Sequence, residues 1–458
     1  MYRVEDIEKI HSSISDIKVK ASEIYKKTFP PTYKENSDVC KVIKQYIIDN
    51  NCIVYGGLAQ HLAIKNKNIE DEIYQELGDA YYNWPELADI EFYSYEPIKD
   101  SINLTETLYK HKFDNISATQ GVHPDTYKIF VNFLNYCDIT YIPANIFSRM
   151  PVIIVNGIRI VHPHFMLVDG YRVLTDPLTS YWRLDKTIYR FQKILKYYPL
   201  ECISISFPKH NNNNKLLSFI KHKIIKSSKL VVVGNHSYNY YISKCENYTL
   251  INELYYEVIS DNLEEDVKSF YTILSTKYGK KINTKEYYPF FQFIDRRVEF
   301  YYKNILILIV YGNNMRCTVY KYSKKRDIHF GTFNLTILYL LFWYYYYYIV
   351  INNKILAEIN MKMICILLNA RNKYLTDNKL TVIDKSPFED FTYECYGKTV
   401  DPIRLSKLLF LIKKKSKKLI KFNYNPSGKN VKYPSHKFNN CSGNKIINEK
   451  YIILKNYI

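Results

Sequence analysis

Three carboxylates and a pair of glycines carry the residue types that could do chemistry in this chain. Asp89 and Glu91 stand one residue apart in the run ADIEFY at 88–93, and Asp138 follows in a later apolar run at 136–142. Residues two apart on a strand share a face, so Asp89 and Glu91 would point the same way. A neighbouring strand can bring Asp138 beside them. Such a cluster can hold two Mg²⁺ or Mn²⁺ ions, because these cations take oxygen ligands and keep part of their water shell. Two ions so held can activate a hydroxyl and neutralise a departing pyrophosphate, the demands of nucleotidyl transfer. Upstream, Cys52-Ile53-Val54-Tyr55 runs into Gly56-Gly57 and then into LAQHLAI. A strand, a turn free of side chains and a helix N-terminus direct backbone N–H groups at phosphate. Each signal alone has a plain reading: a turn, a solvent-facing strand edge, a satisfied buried acid. Their order along the chain gives them weight.

The elements that must position these residues can be sketched from periodicity. Ile7, Ile10, Ile14 and Ile17 recur at helical spacing, so residues 1–50 read as helical. Residues 66–86 are polar and acidic and read as an insertion before the first acidic strand. Strands are expected at 127–133 and 136–142, joined near Asn135, and helix from 161 to 200. On a helix beginning near Thr179, Arg183, Lys186 and Arg190 would form one basic face, suited to a triphosphate or equally to solvent. His162 and His164 flank Pro163 and read as structural. The polar KHNNNNK at 209–215 reads as a linker. Beyond it lies a fainter copy of the first half. LVVVG at 230–234 followed by NHSYNYYI echoes IVYGG followed by LAQHLAI, and YYEVIS at 255–260 echoes DIEFYS at 89–94. In that pairing Gly234 answers Gly56, Asn235 answers Gly57, Tyr255 answers Asp89 and Glu257 answers Glu91. The strand at 305–311 offers no acid to match Asp138, so the copy would lack the chemistry.

The combination of strand, Gly-Gly, helix, then Asp-Ile-Glu on a strand, then a lone Asp on a later strand resembles the polymerase-beta-like nucleotidyltransferase fold. The spacing from Gly57 to Asp89 is longer than in most members, and Glu91 stands where Asp is commoner. The segments at 174–200 (LTDPLTSYWRLDKTIYRFQKILKYYPL), 370–378, 386–402 and 413–428 are similar to those of the poly(A) polymerase catalytic subunits of large DNA viruses. The resemblance implies ATP as donor, the 3′ end of an mRNA as acceptor, and an active domain in tandem with a degenerate one. It implies that Gly56, Gly57, Asp89, Glu91 and Asp138 occupy the active-site positions. The expected fold class is α+β, with a helical segment at 1–50 and a catalytic domain of mixed sheet and helices at 51–205. A degenerate second domain with helices at 216–400 and a basic tail at 401–458 complete the expectation. A homodimer or a processivity subunit is an open partner, and an infected cell's cytoplasm and the virion are the expected locations. Readings left open are a uridylyl-, CCA-adding or tRNA-modifying transferase of the same fold, or a non-catalytic RNA-binding subunit.

Charge supports a polyanionic partner. The net charge is +19, and from Leu405 onward there are 13 Lys, no Arg or Asp and one Glu, a net +12. Lys413, Lys414, Lys415, Lys417, Lys418 and Lys421 stand near Phe422 and Tyr424, a composition suited to tracking single-stranded RNA or to a solvated tail. The nine Cys lack zinc spacing and read as reduced thiols of an intracellular protein. Residues 335–351 carry no charge, yet five consecutive Tyr would need hydroxyl partners in hydrocarbon. A buried core helix is therefore expected there, rather than a membrane span.

Overall fold

A computed structural model describes residues 2–28, 32–71, 73, 90–121, 125–207, 214–226, 228–248, 250–290, 294–313, 316–415 and 422–428. Asp89, most of the expected insertion, residues 209–213 of the polar linker and Lys417, Lys418 and Lys421 lie outside the described residues; the end of that linker begins the helix Asn214–Ile220. The chain packs as two units. One holds Met1–Tyr141, Val152–Ile160 and Lys414–His436; the other holds Ile142–Pro151, Val161–Lys413 and Lys437–Ile458.

In the first unit the apolar run before the glycine pair forms β1 (Ile53–Tyr55), with Ile53 and Val54 fully buried. The chain turns at once into the helix Gly56–Lys65. The acidic run forms β2 (Ile90–Ser94), and β3 (Ser117–Gln120), β4 (Thr126–Val131) and β5 (Leu134–Tyr141) follow. β4 and β5 are joined at Asn132-Phe133, both at positive φ (46° and 66°), not near Asn135. Two left-handed residues make the tight turn whose twist suits a hairpin, and Asn tolerates that conformation. β6 (Val152–Val155) and β7 (Ile158–Val161) complete the first half of the fold. The helices Tyr33–Asp49 and Pro97–Lys110 bury Val39, Ile43, Leu104 and Leu108 in the core. Ser94 and Tyr46 both donate hydroxyl hydrogen bonds to Asp100, tying β2 and both helices together. The expected N-terminal helix exists as Val4–Thr28, but Ile7, Ile14 and Ile17 are exposed.

The second unit contains β8 (Val231–Val233), β9 (Tyr256–Ser260), β10 (Ile282–Tyr287), β11 (Arg297–Tyr302) and β12 (Ile305–Gly312). It also contains β13 (Thr318–Ser323), β14 (Ile328–Gly331) and β15 (Cys395–Tyr396). A last strand, β16 (Asn423–Tyr424), returns to the first sheet. Among the described residues the first sheet runs β16-β3-β4-β5-β2-β1-β7-β6 and the second β10-β11-β12-β9-β8-β14-β13-β15. Setting aside β16 and β15, the two orders are the same. The strand directions agree as well: β2 is parallel to β5 and antiparallel to β1, as β9 is to β12 and to β8.

The uncharged run forms the helix Phe333–Tyr345, continued by a π-helical turn to Ile351. Phe333, Ile337 and Phe342 are fully buried, and 72% of the apolar window is buried within the fold. The helix ends where Asn352 takes φ 58°. The reading of all cysteines as free thiols needs correction, because Cys317 and Cys395 form a disulfide. The pairing of β13 with β15, which sets Val319 against Cys395, brings together two residues 78 positions apart. Spacing alone gives no sign of that contact.

Candidate active site

Strand register decides which side chains meet in the first sheet. Glu91 on β2 lies opposite Asp138 on the parallel neighbour β5, and opposite Tyr55, the last residue of β1. Adjacent strands lie about 4.8 Å apart, so the Glu91 and Asp138 side chains stand side by side on one face. The backbone of Gly56 passes directly beneath the Glu91 carboxylate. Gly56 takes φ +69°, and a Cβ built there would sit 1.8 Å from Glu91 Oε2. Glycine is therefore required twice over, for the left-handed backbone and for the close approach. Gly56 and Gly57 open the helix Gly56–Lys65, whose first N–H groups have no partner within the helix.

Around this pair the same face is lined by hydroxyls and rings. Tyr55 stacks on Tyr93 with ring centroids 3.9 Å apart, and its hydroxyl lies 2.8 Å from Thr140 Oγ1. Thr140 is itself 3.2 Å from the Thr126 hydroxyl on β4. Asp138 is not bare. Lys128, directly opposite it on β4, places its ammonium 2.8 Å from Oδ1 and 2.6 Å from Oδ2. The Asn135 side-chain amide donates to Oδ1 at 2.9 Å. Sequence reasoning missed Lys128, because its partnership with Asp138 exists only through the hairpin register.

The donor set suits a hard divalent cation. Glu91 and Asp138 offer only oxygens, on neighbouring strands, and a side-chain cation already sits against Asp138. Among the described residues no group of three or more His, Cys, Asp or Glu forms a metal cluster; Asp89, the third carboxylate expected from sequence, lies outside them.

Other expected site residues are carried by other elements. Arg183, Lys186 and Arg190 belong to the second unit. They do not share one uninterrupted helix from Thr179. Helical turns at Pro177–Ser180 and Tyr181–Arg183 precede the helix Leu184–Tyr197, with a break at Ser180 (φ −129°), and Arg183 is the residue before that helix. Its guanidinium lies 4.5 Å from the centre of the exposed Trp182 ring. Lys413, Lys414 and Lys415 end the helix Pro402–Lys415, and the Lys415 side chain is exposed. His162 accepts from the His164 N–H at 3.2 Å, capping the helix Pro163–Leu174, and burial lowers its pKa to about 4. His164 bonds the Tyr198 carbonyl at 2.8 Å. Both imidazoles are thus engaged in holding the backbone.

The equivalent place in the second sheet is built from different residues. Gly234 repeats the geometry of Gly56, at φ +63° with a built Cβ 2.0 Å from Glu257 Oε1. Val233 lies opposite Glu257, as Tyr55 lies opposite Glu91. The partner of Glu257 on β12 is Ile309 where β5 has Asp138, and Glu299 on β11 takes the place of Lys128. Glu257 is 2% exposed and accepts from the Tyr311 hydroxyl at 2.7 Å and the Trp343 indole at 2.6 Å. Burial, partly offset by those donors, pushes its pKa up to about 7. Arg297 donates to Glu299 at 3.0 Å and lies among Tyr287, Trp343 and Tyr346. The Glu257 carboxylate is thus engaged by side chains of its own unit.

Two family models match successive parts of the chain, divided at a different place from the two structural units. Residues 41–180 match the family model described as "Poly(A) polymerase catalytic subunit", and residues 192–456 match "APMV, Putative poly(A) polymerase, catalytic subunit, C-terminal". A protein of Acanthamoeba polyphaga mimivirus with the same catalytic-subunit description is 32% identical over 98% of this chain and 83% of its own length. A counterpart in African swine fever virus is 25% identical over 39% of this chain and 36% of its own. The crystal structure of the Megavirus polyadenylate synthase superposes with a TM-score of 0.83 at 30% identity, covering 93% of this chain and 86% of that one.

Proposed function

The chain belongs to the poly(A) polymerase catalytic subunit family, and on that premise we propose that its first sheet carries the two-metal chemistry of adenylyl transfer. The enzyme is a polynucleotide adenylyltransferase that takes ATP and RNA as substrates. Glu91, Asp138 and Asp89 are assigned as the carboxylates that would hold two divalent ions, Mg²⁺ or Mn²⁺. Bound there, such ions lower the pKa of the RNA 3′-hydroxyl and offset charge on the departing pyrophosphate. Gly56 and Gly57 supply the close backbone and the helix N-terminus for the triphosphate. Tyr55, Tyr93 and Thr140 fix the floor beneath the carboxylates, so that reacting groups meet a preorganised face. Arg183, Lys186 and Arg190 are assigned to substrate phosphates, and the lysines from Lys413 to Lys421 to the RNA backbone. The second unit is assigned a non-catalytic role, since Ile309 replaces the second carboxylate.

The observation that carries this reading is the register of Glu91 against Asp138 with Gly56 beneath. Extension of a short RNA primer by the full chain tests it, using each NTP in turn with Mg²⁺ or Mn²⁺. Long adenylate tails are expected with ATP, reduced by roughly 10³-fold or more in Asp89→Ala and in Asp138→Asn. Activity indifferent to both substitutions would sink the site assignment.

A further inference from the structure

Lys128 and Asp138 form a close ion pair in the middle of the face assigned to divalent ions. One ammonium spans both carboxylate oxygens, at 2.8 and 2.6 Å, and it does so from the residue directly opposite on β4. Backbone register, rather than a long flexible reach, therefore fixes the contact. Electrostatics gives it a reason. With no cation on this face the Glu91 and Asp138 carboxylates would stand side by side, and like charges so placed repel. The two oxygens of Asp138 are held differently. Oδ1 also accepts from Asn135, which would keep the carboxylate oriented if the ammonium left.

The second sheet supplies an internal contrast. There the cation is Arg297, paired with Glu299 and enclosed by aromatic rings, with the two side chains 1% and 7% exposed. Lys128 and Asp138 are 31% and 14% exposed. A planar, five-donor guanidinium sealed among rings is a permanent counter-ion, whereas a single ammonium on a partly exposed face is a removable one. We propose that Lys128 is a positioning residue that occupies the cation place on Asp138 when no divalent ion is bound, and that the ion enters by displacing its ammonium. The proposal rests on the assignment of Glu91 and Asp138 as metal carboxylates.

The test is Mn²⁺ binding to the full chain without nucleotide, measured by the electron paramagnetic resonance of free Mn²⁺. If Lys128 competes with the ion, Lys128→Met binds Mn²⁺ about tenfold more tightly than wild type, the scale of one charge-assisted pair. Lys128→Arg, which would fix a forked guanidinium on the carboxylate, binds it about tenfold more weakly. A residue that served only to brace the fold would weaken binding in both variants, and that result overturns the proposal. So does an unchanged affinity in Lys128→Met while Asp138→Asn abolishes binding. Should Lys128→Met not fold, Lys128→Gln takes its place with the same expected tightening, and an affinity at or below that of wild type there overturns the proposal. If instead Asp138→Asn binds Mn²⁺ as well as wild type, the metal assignment itself fails.

Discussion

A side chain at position 56 would share space with the Glu91 carboxylate, since the built Cβ lies 1.8 Å from Oε2 on a backbone at φ +69°. Gly56→Ala must therefore move the backbone or the carboxylate. Strain of this kind costs about 1–3 kcal/mol, and displacement of Glu91 should lower primer extension by about 10²-fold or more. Gly234→Ala meets the same clash with Glu257, so it should cost similar stability, read from thermal melting, yet leave the carboxylates of the first sheet intact. Glu257 adds a pH dependence. Its pKa, raised from 4.5 to about 7 chiefly by burial, means that the folded state binds the proton more tightly than the unfolded chain. That contribution to stability is full below about pH 4.5 and is lost as pH rises through 7. Glu257→Gln keeps an acceptor for Tyr311 and Trp343 without the charge. It should be more stable than wild type at pH 8, on the order of 3 kcal/mol, with no gain at pH 4.5. Denaturant melts at the two pH values check this, and a gain of equal size at both would refute the ionisation argument.

Elements show which of these features are written locally. The strand–Gly-Gly–helix unit and the acid-bearing strands were legible because period-two alternation and a strand running into paired glycines are short-range patterns. The faint repeat was legible for the same reason, and the shared strand order gives it a structural form. Lys128 against Asp138, Cys317 against Cys395 and Arg297 among its rings were not legible, because each depends on pairing across strands. A one-residue slip in the β4–β5 hairpin would turn Lys128 to the other face, and the sequence reading misplaced that very turn. The edge of the first sheet is another non-local product. Phe422, fully buried, meets Tyr127 edge-on at 5.4 Å, while β16 pairs with β3 and Tyr424 donates to Glu106. A short strand from the far end of the chain thus covers an open edge. Phe422→Ala should cost about 3–5 kcal/mol of stability by loss of a buried ring. It should also speed amide exchange at Gln120, whose N–H donates to the Phe422 carbonyl at 3.0 Å. Unchanged exchange there would mean that β16 is held without its anchor.

Charge acts on the scale of the whole molecule. The net +19 is carried disproportionately by the last 54 residues, positions 405–458, whose lysines follow an exposed basic helix end at Lys415. On the proposed assignments, catalysis at the first sheet and retention of RNA by this segment would be separable functions of one chain. Single-stranded nucleic acid held by ammonium groups releases about 0.7 of a counterion per phosphate neutralised, so affinity must fall with salt in proportion to the contacts made. Replacing Lys413, Lys414, Lys415, Lys417, Lys418 and Lys421 by Gln should therefore reduce the slope of log affinity against log salt by up to about 4. The change belongs in the RNA concentration needed for half-maximal extension, because none of these residues is assigned to the carboxylate face. The rate at saturating RNA should stay within about twofold of wild type, since an interaction equal in ground and transition states alters KM and not kcat. Titration of a short oligoadenylate at several salt concentrations reads the slope directly. A slope unmoved by six neutral substitutions would show the lysine cluster to be solvated, and would leave RNA retention to the folded surface of the two units.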